Sequence, residues 1–286
     1  MKLSIDNFEL RKKFGEEKTI KLLKQTGFDA LDYSFFGDKD LEVILGEEYI
    51  SYARNVRRLL DENGLTCNQA HAPFRGMQYE NKFDLSDKAY VQIVRAMESA
   101  SIMGAKHIVV HGIKVPEGID DVQYNLQYYK SLEQYCEKFG IHVAIENLYI
   151  YDEKCKCYRG RFHTAEILNK MIEELDSPWF VVCVDIGHAA MVGIKPETLI
   201  RGLNNCVLRA LHVHDNDYLG DRHTIPYGGE LNWKEIMQAL KDIGYQGDFT
   251  FEIVCFIARI EPEFMEEALD YAAKTGRYLM GKVMVK

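Results

Sequence analysis

The sequence has no linker and little proline. Six prolines and two tryptophans in 286 residues, with no Pro/Ser/Gly-rich or low-complexity tract, leave no composition break at which a second domain would join. Residues 1–286 are therefore expected to form a single domain. No apolar run is long enough to cross a bilayer and no basic-then-apolar segment opens the sequence, so neither membrane insertion nor secretion is expected and the expected location is cytoplasmic. No GxGxxG or GxxxxGK[ST] follows a strand pattern, which argues against Rossmann and P-loop sites. Positive charge is in deficit, 35 Lys and Arg against 44 Asp and Glu, and the net charge of -9 argues against a large nucleic-acid footprint. The seven cysteines are odd in number and lack framework spacing. Most (Cys67, Cys136, Cys183, Cys206, Cys255) sit in apolar stretches, as reduced core thiols do. Cys155 and Cys157 form a CxC in a polar stretch, but no second pair completes a zinc set, and they read as a surface loop.

What is present is alternation. KLSIDN has a strand pattern, and EKTIKLLKQTGFDALDYSFF reads as a helix stopped at Gly27 and then a strand. SYARNVRRLLDENGLTCNQAHAPF repeats the unit with a stop at Gly64. DKAYVQIVRAMESASIMGAKHIVVHG and QYNLQYYKSLEQYCEKFGIHVAIENL repeat it again with stops at Gly104 and Gly140. TAEILNKMIEELDSPWFVVCVDIGH breaks at Asp176 to Pro178. Two further strand segments, LRALHVHDN and DFTFEIV, follow helical patterns, and EPEFMEEALDYAAKTGRYLM closes the series. Strands that alternate with helical segments over the whole length argue for an α/β fold and, at this count, for a (β/α)8 TIM barrel rather than an open sheet.

Barrel active sites gather at the C-terminal strand ends. There the third to eighth units place His71, His111, Glu146, Asp185 with His188, His214 and Glu252. A carboxylate at the end of VVCV cannot be satisfied inside the strand, so a metal or proton-transfer site is expected. Imidazoles with carboxylates suit a divalent cation, Mn, Zn, Co or Mg, and the absence of thiolates at strand ends argues against a structural zinc. Asp221 and His223 lie in a loop and read either as further ligands or as a solvated ion pair. Gly228 and Gly229 either let backbone N–H groups approach a phosphate or only shape the turn. His212 shares the face of His214 one layer deeper and reads as an interior histidine. His107, His142 and His163 read as structural or exposed. Trp233, after the helix cap Asn232, reads as packing for its helix. A stripe of Tyr124, Tyr128 and Tyr135 reads as core or interface, and Tyr128, Tyr129 and Tyr135 could support a homo-oligomer.

The motifs HAPF, VVHG, AIENL, VDIGHAAM, HVHDND, DRHTIPYGG and FEIV, in this order from the third strand to the end, resemble the xylose-isomerase-like barrels, which also include endonuclease IV. The resemblance implies a metal held by Glu146, Asp185, His214 and Glu252 in an isomerase or epimerase acting on a sugar, sugar phosphate or related polyol ketone. Glu146 and Glu252 would exchange the proton through an enediolate, and His188 would contact a substrate oxygen. The endonuclease IV reading would add His71 and His111, sharing Glu146, for a second metal, and His188, Asp221 and His223 for a third, in an enzyme cutting at abasic sites. For DNA contacts the sequence offers only Phe74, Arg75, Lys114 and Arg222. The stretch HDNDYLGD is acidic, and SFFGDKDLEV suits the wall of a small-molecule pocket. Phe74, Lys114, Arg222, Gly228 and Gly229 are accordingly expected around a carbohydrate substrate, with nucleic acid the lesser expectation. A third reading is a metal-binding barrel subunit without catalysis, which a missing ligand would favour; none is missing.

Overall fold

Runs such as FVVCVD, buried at every position, fit strands covered on both faces, as in a parallel sheet. In the computed structural model, which describes residues 1–74, 76–204 and 207–284, these runs form one closed barrel. Arg75 and Cys206 lie outside the described residues. The strands are β1 (Leu3–Ile5), β2 (Ala30–Ser34), β3 (Thr66–His71), β4 (His107–Val109) and β5 (His142–Glu146), followed by the pair β6 (Leu148–Asp152) and β7 (Cys157–Arg161), then β8 (Phe180–Asp185), β9 (Leu208–His212) and β10 (Phe249–Phe251). A six-stranded parallel sheet runs β2-β3-β4-β5-β8-β9, and β1 pairs with β10. Parallel bridges Asp6↔Asp32 and Val213↔Phe251 join the two sheets and close the ring. The fold is thus the expected TIM barrel, with helices packed outside. Helix 49–63 ends at Gly64 and helix 121–139 at Gly140, both with left-handed φ (63° and 65°) that glycine adopts without steric cost.

The barrel encloses two unlike walls. Val109, Ala144, Val181, Cys183 and Ala210 form a small apolar cluster separate from the main core. Facing it are buried polar side chains bonded to one another. Gln69 donates to Asp32 at 2.7 Å, and Ser34 donates to Asp6.

Two features add to the expectation and one departs from it. The aromatic and acidic exit of β2 carries a helix, Asp38–Leu45, and lines a cavity as expected of this stretch. The polar CxC stretch is exposed as expected, in a turn that joins two strands: β6 and β7 pair antiparallel as a hairpin outside the barrel, with Cys155 in the turn and Cys157 opening β7. Tyr128 and Tyr129 are fully buried, so the helix face expected to support a homo-oligomer is packed within this chain. Among the described residues no helix is long and apolar enough to cross a membrane.

Candidate metal centre

Glu146 is the last residue of β5, Asp185 of β8 and His212 of β9, while Glu252 follows β10. Strand ends converge at a barrel mouth, and one ligand atom from each of these four lies within 4.8 Å of the others. His212 Nδ1 is 2.7 Å from Glu146 Oε1, 3.5 Å from Glu252 Oε2 and 3.8 Å from Asp185 Oδ2. On its other side, His212 Nε2 faces Asp32 at 3.6 Å.

In this tetrad the imidazole is His212, while His214, the ligand the motif resemblance implied, meets Asp185 and shares a further group of donor atoms with His223 and Glu252. Val213 bridges to Phe251, and His214 beyond it turns over Gly187, where an added Cβ would come within 1.9 Å of the ring. From there His214 Nε2 meets both oxygens of Asp185, at 3.0 and 3.1 Å, and its ring stacks on His223 at 4.0 Å.

Three carboxylates buried around one imidazole repel one another unless protons or a cation compensate. Glu252 Oε2 makes no hydrogen bond although it is shut off from solvent. Burial, with Asp185 and Glu146 adding to it against His212 and His223, pushes the Glu252 carboxyl up to about 7. Burial acts on Glu146 too, but His212 and His111 hold it well below the usual carboxylate range. Asp185 is held down at about 2 against burial by His188 and His214. An oxygen-rich set with one imidazole and an unbonded buried oxygen fits a divalent cation.

Two smaller groups flank the tetrad. His111 Nε2 lies 2.7 Å from Glu146 Oε2 and 3.1 Å from His71 Nε2. His223 Nε2 is 2.9 Å from Asp221 Oδ2, and His188 Nε2 approaches the same oxygen at 3.6 Å. Each trio, His71 with His111 and Glu146, and His188 with Asp221 and His223, also has its ligand atoms within 4.8 Å. Burial depresses His111 to about 4 despite Glu146, leaving a neutral imidazole, whereas Asp185, Asp221 and Glu146 outweigh burial and raise His188 to about 10.

A cavity of about 1310 Å³ opens above the centre and is lined by both trios, Glu252, Phe74 and Lys114. Arg222, Gly228 and Gly229 stand apart from it. Arg222 pairs with Asp217 at 2.9 Å on the surface. A Cβ on Gly229 would lie 2.4 Å from the Asn216 carbonyl oxygen, so glycine there permits close packing of the loop, not an anion cradle at the site. Trp233 is buried as expected, and its indole N–H also donates to Asp215 at 2.7 Å.

Two site residues escaped the sequence reading. Asn147 exchanges hydrogen bonds with the Asp185 backbone, both 2.8 Å, and its carbonyl lies 3.1 Å from His188 Nδ1. Its place directly after Glu146 was the available signal. Tyr149, on β6, donates to Asp221 at 3.0 Å and packs on the His188 ring at 4.9 Å. Nothing in LYIYD announced that the strand folds back over the mouth.

The model of the xylose isomerase-like TIM barrel family matches residues 20–276. An uncharacterised protein of Methanocaldococcus jannaschii is 28% identical over 191 residues, 64% of this chain and 62% of that protein, so the match spans less than two thirds of the relative's length. The 2-oxo-tetronate isomerase of Haemophilus influenzae is 26% identical over 206 residues, 68% of this chain and 75% of the relative. The crystal structure of a D-tagatose 3-epimerase-like protein superposes with a TM-score of 0.75 at 22% identity, covering 99% of this chain and 98% of the other.

Proposed function

Because the chain belongs to the xylose isomerase-like TIM barrel family, we propose that it acts as one catalytic unit, a divalent-metal-dependent isomerase or epimerase of a sugar, sugar phosphate or related polyol ketone. The observation that carries this reading is geometric: two buried glutamates, Glu146 from the end of β5 and Glu252 from beyond β10, bring carboxylate oxygens to one cluster with Asp185 and His212, and Glu252 Oε2 has no hydrogen-bond partner there. Two carboxylates that reach one site from different strands can serve as base and acid. Glu146, Asp185, His212 and Glu252 would hold the cation, which when bound polarises a carbonyl and its neighbouring hydroxyl. Glu146 takes the proton from the carbon between them, and Glu252, reaching in from another strand, returns one. His188, cationic and oriented through the Asn147 carbonyl, donates to a substrate oxygen and steadies the charge that develops there. Lys114 and Phe74 line the substrate's approach. The isomerase activity of the Haemophilus influenzae relative supports the reaction class. The described cysteines are all unpaired, in keeping with a cytoplasmic location.

The test is solvent proton exchange into a panel of ketoses and their phosphates by the metal-loaded enzyme. Glu146→Gln and Glu252→Gln should each lose about 10²- to 10⁴-fold in rate while the fold is kept. Normal turnover by either variant would refute the two-glutamate scheme.

A second reading keeps a specific observation. Eight of the nine residues that the resemblance to endonuclease IV implies lie in the tetrad and its two flanking trios, and the ninth, His214, meets Asp185. Two or three tightly held zinc ions per chain, with cleavage of abasic-site DNA, would replace the isomerase reading with this one. One metal per chain and no cleavage would remove it.

A further inference from the structure

The cavity is larger than a monosaccharide needs. At about 1310 Å³ it exceeds the range of about 300–1,000 Å³ that encloses drug-sized ligands, and the metal centre occupies only one end. An arm leads away between the helix Phe8–Phe14 and the helix Asp38–Leu45 at the exit of β2. Aromatic rings pave it continuously from the centre outward. Phe36 meets the His71 ring edge-on at 4.7 Å, Phe74 lies 5.1 Å from both Phe36 and His111, and Phe8 continues the row 5.6 Å beyond Phe36. The far end is edged by Lys12, Glu16, Val43 and Tyr52. Arg11, on the floor, is already satisfied by Asp40 at 2.7 Å and Glu16 at 3.2 Å, so it shapes the arm without adding an unpaired charge. Aromatic faces with charged and hydroxyl groups along the edge match a sugar ring, which offers apolar C–H faces to stacking and hydroxyls at its rim.

We propose that the natural substrate is a ketose bearing a second sugar ring, with the keto sugar at the tetrad and the appended ring stacked in the arm against Phe36 and Phe8. This rests on the isomerase or epimerase reading for the fate of the keto end and on the arm alone for the size of the substrate. Without a second ring, the aromatic row beyond Phe36 would stay in contact with water. The inference assigns Phe8 and Val43 as specificity-determining residues, remote from the reacting carbons.

The test compares a free ketohexose with keto-disaccharides glycosylated on O4 or O6, using the metal-loaded full chain. Binding is read by calorimetry and turnover by solvent proton exchange. The expected result is that one keto-disaccharide binds at least about tenfold tighter than the ketohexose, a factor of ten being about 1.4 kcal/mol. Val43→Phe, which fills the arm, and Phe8→Ala, which strips its wall, should each abolish that ratio and leave ketohexose binding unchanged. Equal or weaker binding of every disaccharide, no binding of any sugar, or a ratio that neither variant alters would overturn the proposal. Disaccharide binding that depends on the arm but brings no proton exchange would uphold it while sinking the isomerase reading. Proton exchange into the ketohexose with no preference for the disaccharides would do the reverse.

Discussion

The centre is built in two ways at two depths. In the tetrad, Glu146, Asp185 and His212 are fully buried and fixed by the ends of three hydrogen-bonded strands. At the rim, Asp221 and His223 hang on the segment after β9, and their positions depend on contacts from elsewhere: Tyr149 to Asp221 at 3.0 Å, and the Glu252 carbonyl to His223 Nδ1 at 2.8 Å. Both depths present carboxylates and imidazoles, so residue type alone does not tell them apart. The difference lies in what holds each group. Strand-borne donors are placed once the barrel closes, whereas rim donors need a loop and a hairpin to settle.

The largest effect is expected from removing one histidine at a time from the same motif: His212 lies in the tetrad, and His214, equally buried, meets Asp185 from beyond it. His212→Ala deletes a tetrad donor and should weaken metal binding by at least about 100-fold. His214→Ala removes only a prop on Asp185 and should cost about 10-fold, the lower end for a group that orients a ligand. Chelator competition on the two variants, with circular dichroism to confirm folding, measures both. A larger loss for His214→Ala would return the ligand role to that residue and invert the reading of the site.

That pair also shows how far the sequence could be read. The barrel was legible because each strand is an apolar run preceded by a helix and its stop, and His71, His111, Glu146, Asp185 and Glu252 were legible because each is a polar residue at the end of an apolar strand. The choice between His212 and His214 was not, since both lie on one side of the same strand by their spacing. It turns on where β9 ends and on Gly187, which gives the His214 ring a place to lie against the helix that follows β8. Gly229 stayed ambiguous for a related reason. Glycine is needed there, but for packing on Asn216, and sequence cannot separate a close approach to backbone from a close approach to an anion. The hairpin β6–β7 was missed although LYIYD is rich in strand-forming residues, because it interrupts the strand-then-helix alternation after β5 and only Leu148 and Arg161 at its base are buried.

Beneath the tetrad, Asp6 tests whether the deep region carries a stability cost that the rim does not. Burial, reinforced by Asp32 and opposed by Ser34, raises its carboxyl from 3.8 to about 6. A folded-state value above the unfolded one means that the folded chain binds the extra proton. The stabilisation is thus complete below about pH 4 and is lost as pH rises through 6. Two units are worth about 3 kcal/mol, less about 1 kcal/mol for a weakened bond to Ser34. Asp6→Asn should therefore be about 2 kcal/mol more stable than the parent at pH 7.5 by urea unfolding, with the gap closing by pH 4. An unchanged gap across that range would mean that Asp6 is not protonated in the folded chain.

The smallest expected effect falls on the rim. Tyr149→Phe keeps the ring against His188 and deletes one hydroxyl, leaving Asp221 with His223 and the more distant His188. A single hydrogen bond to a charged group contributes about 1.5–3 kcal/mol, and the half-exposed position of Tyr149 places this one at the lower end. The loss should therefore amount to about tenfold at most, and it should be read in substrate affinity and not in tetrad metal affinity, because no tetrad ligand touches the hydroxyl. If Tyr149→Phe instead weakened the first bound metal as much as His214→Ala does, the two depths would be one coupled unit. The distinction between strand-held and loop-held donors would then carry no functional meaning.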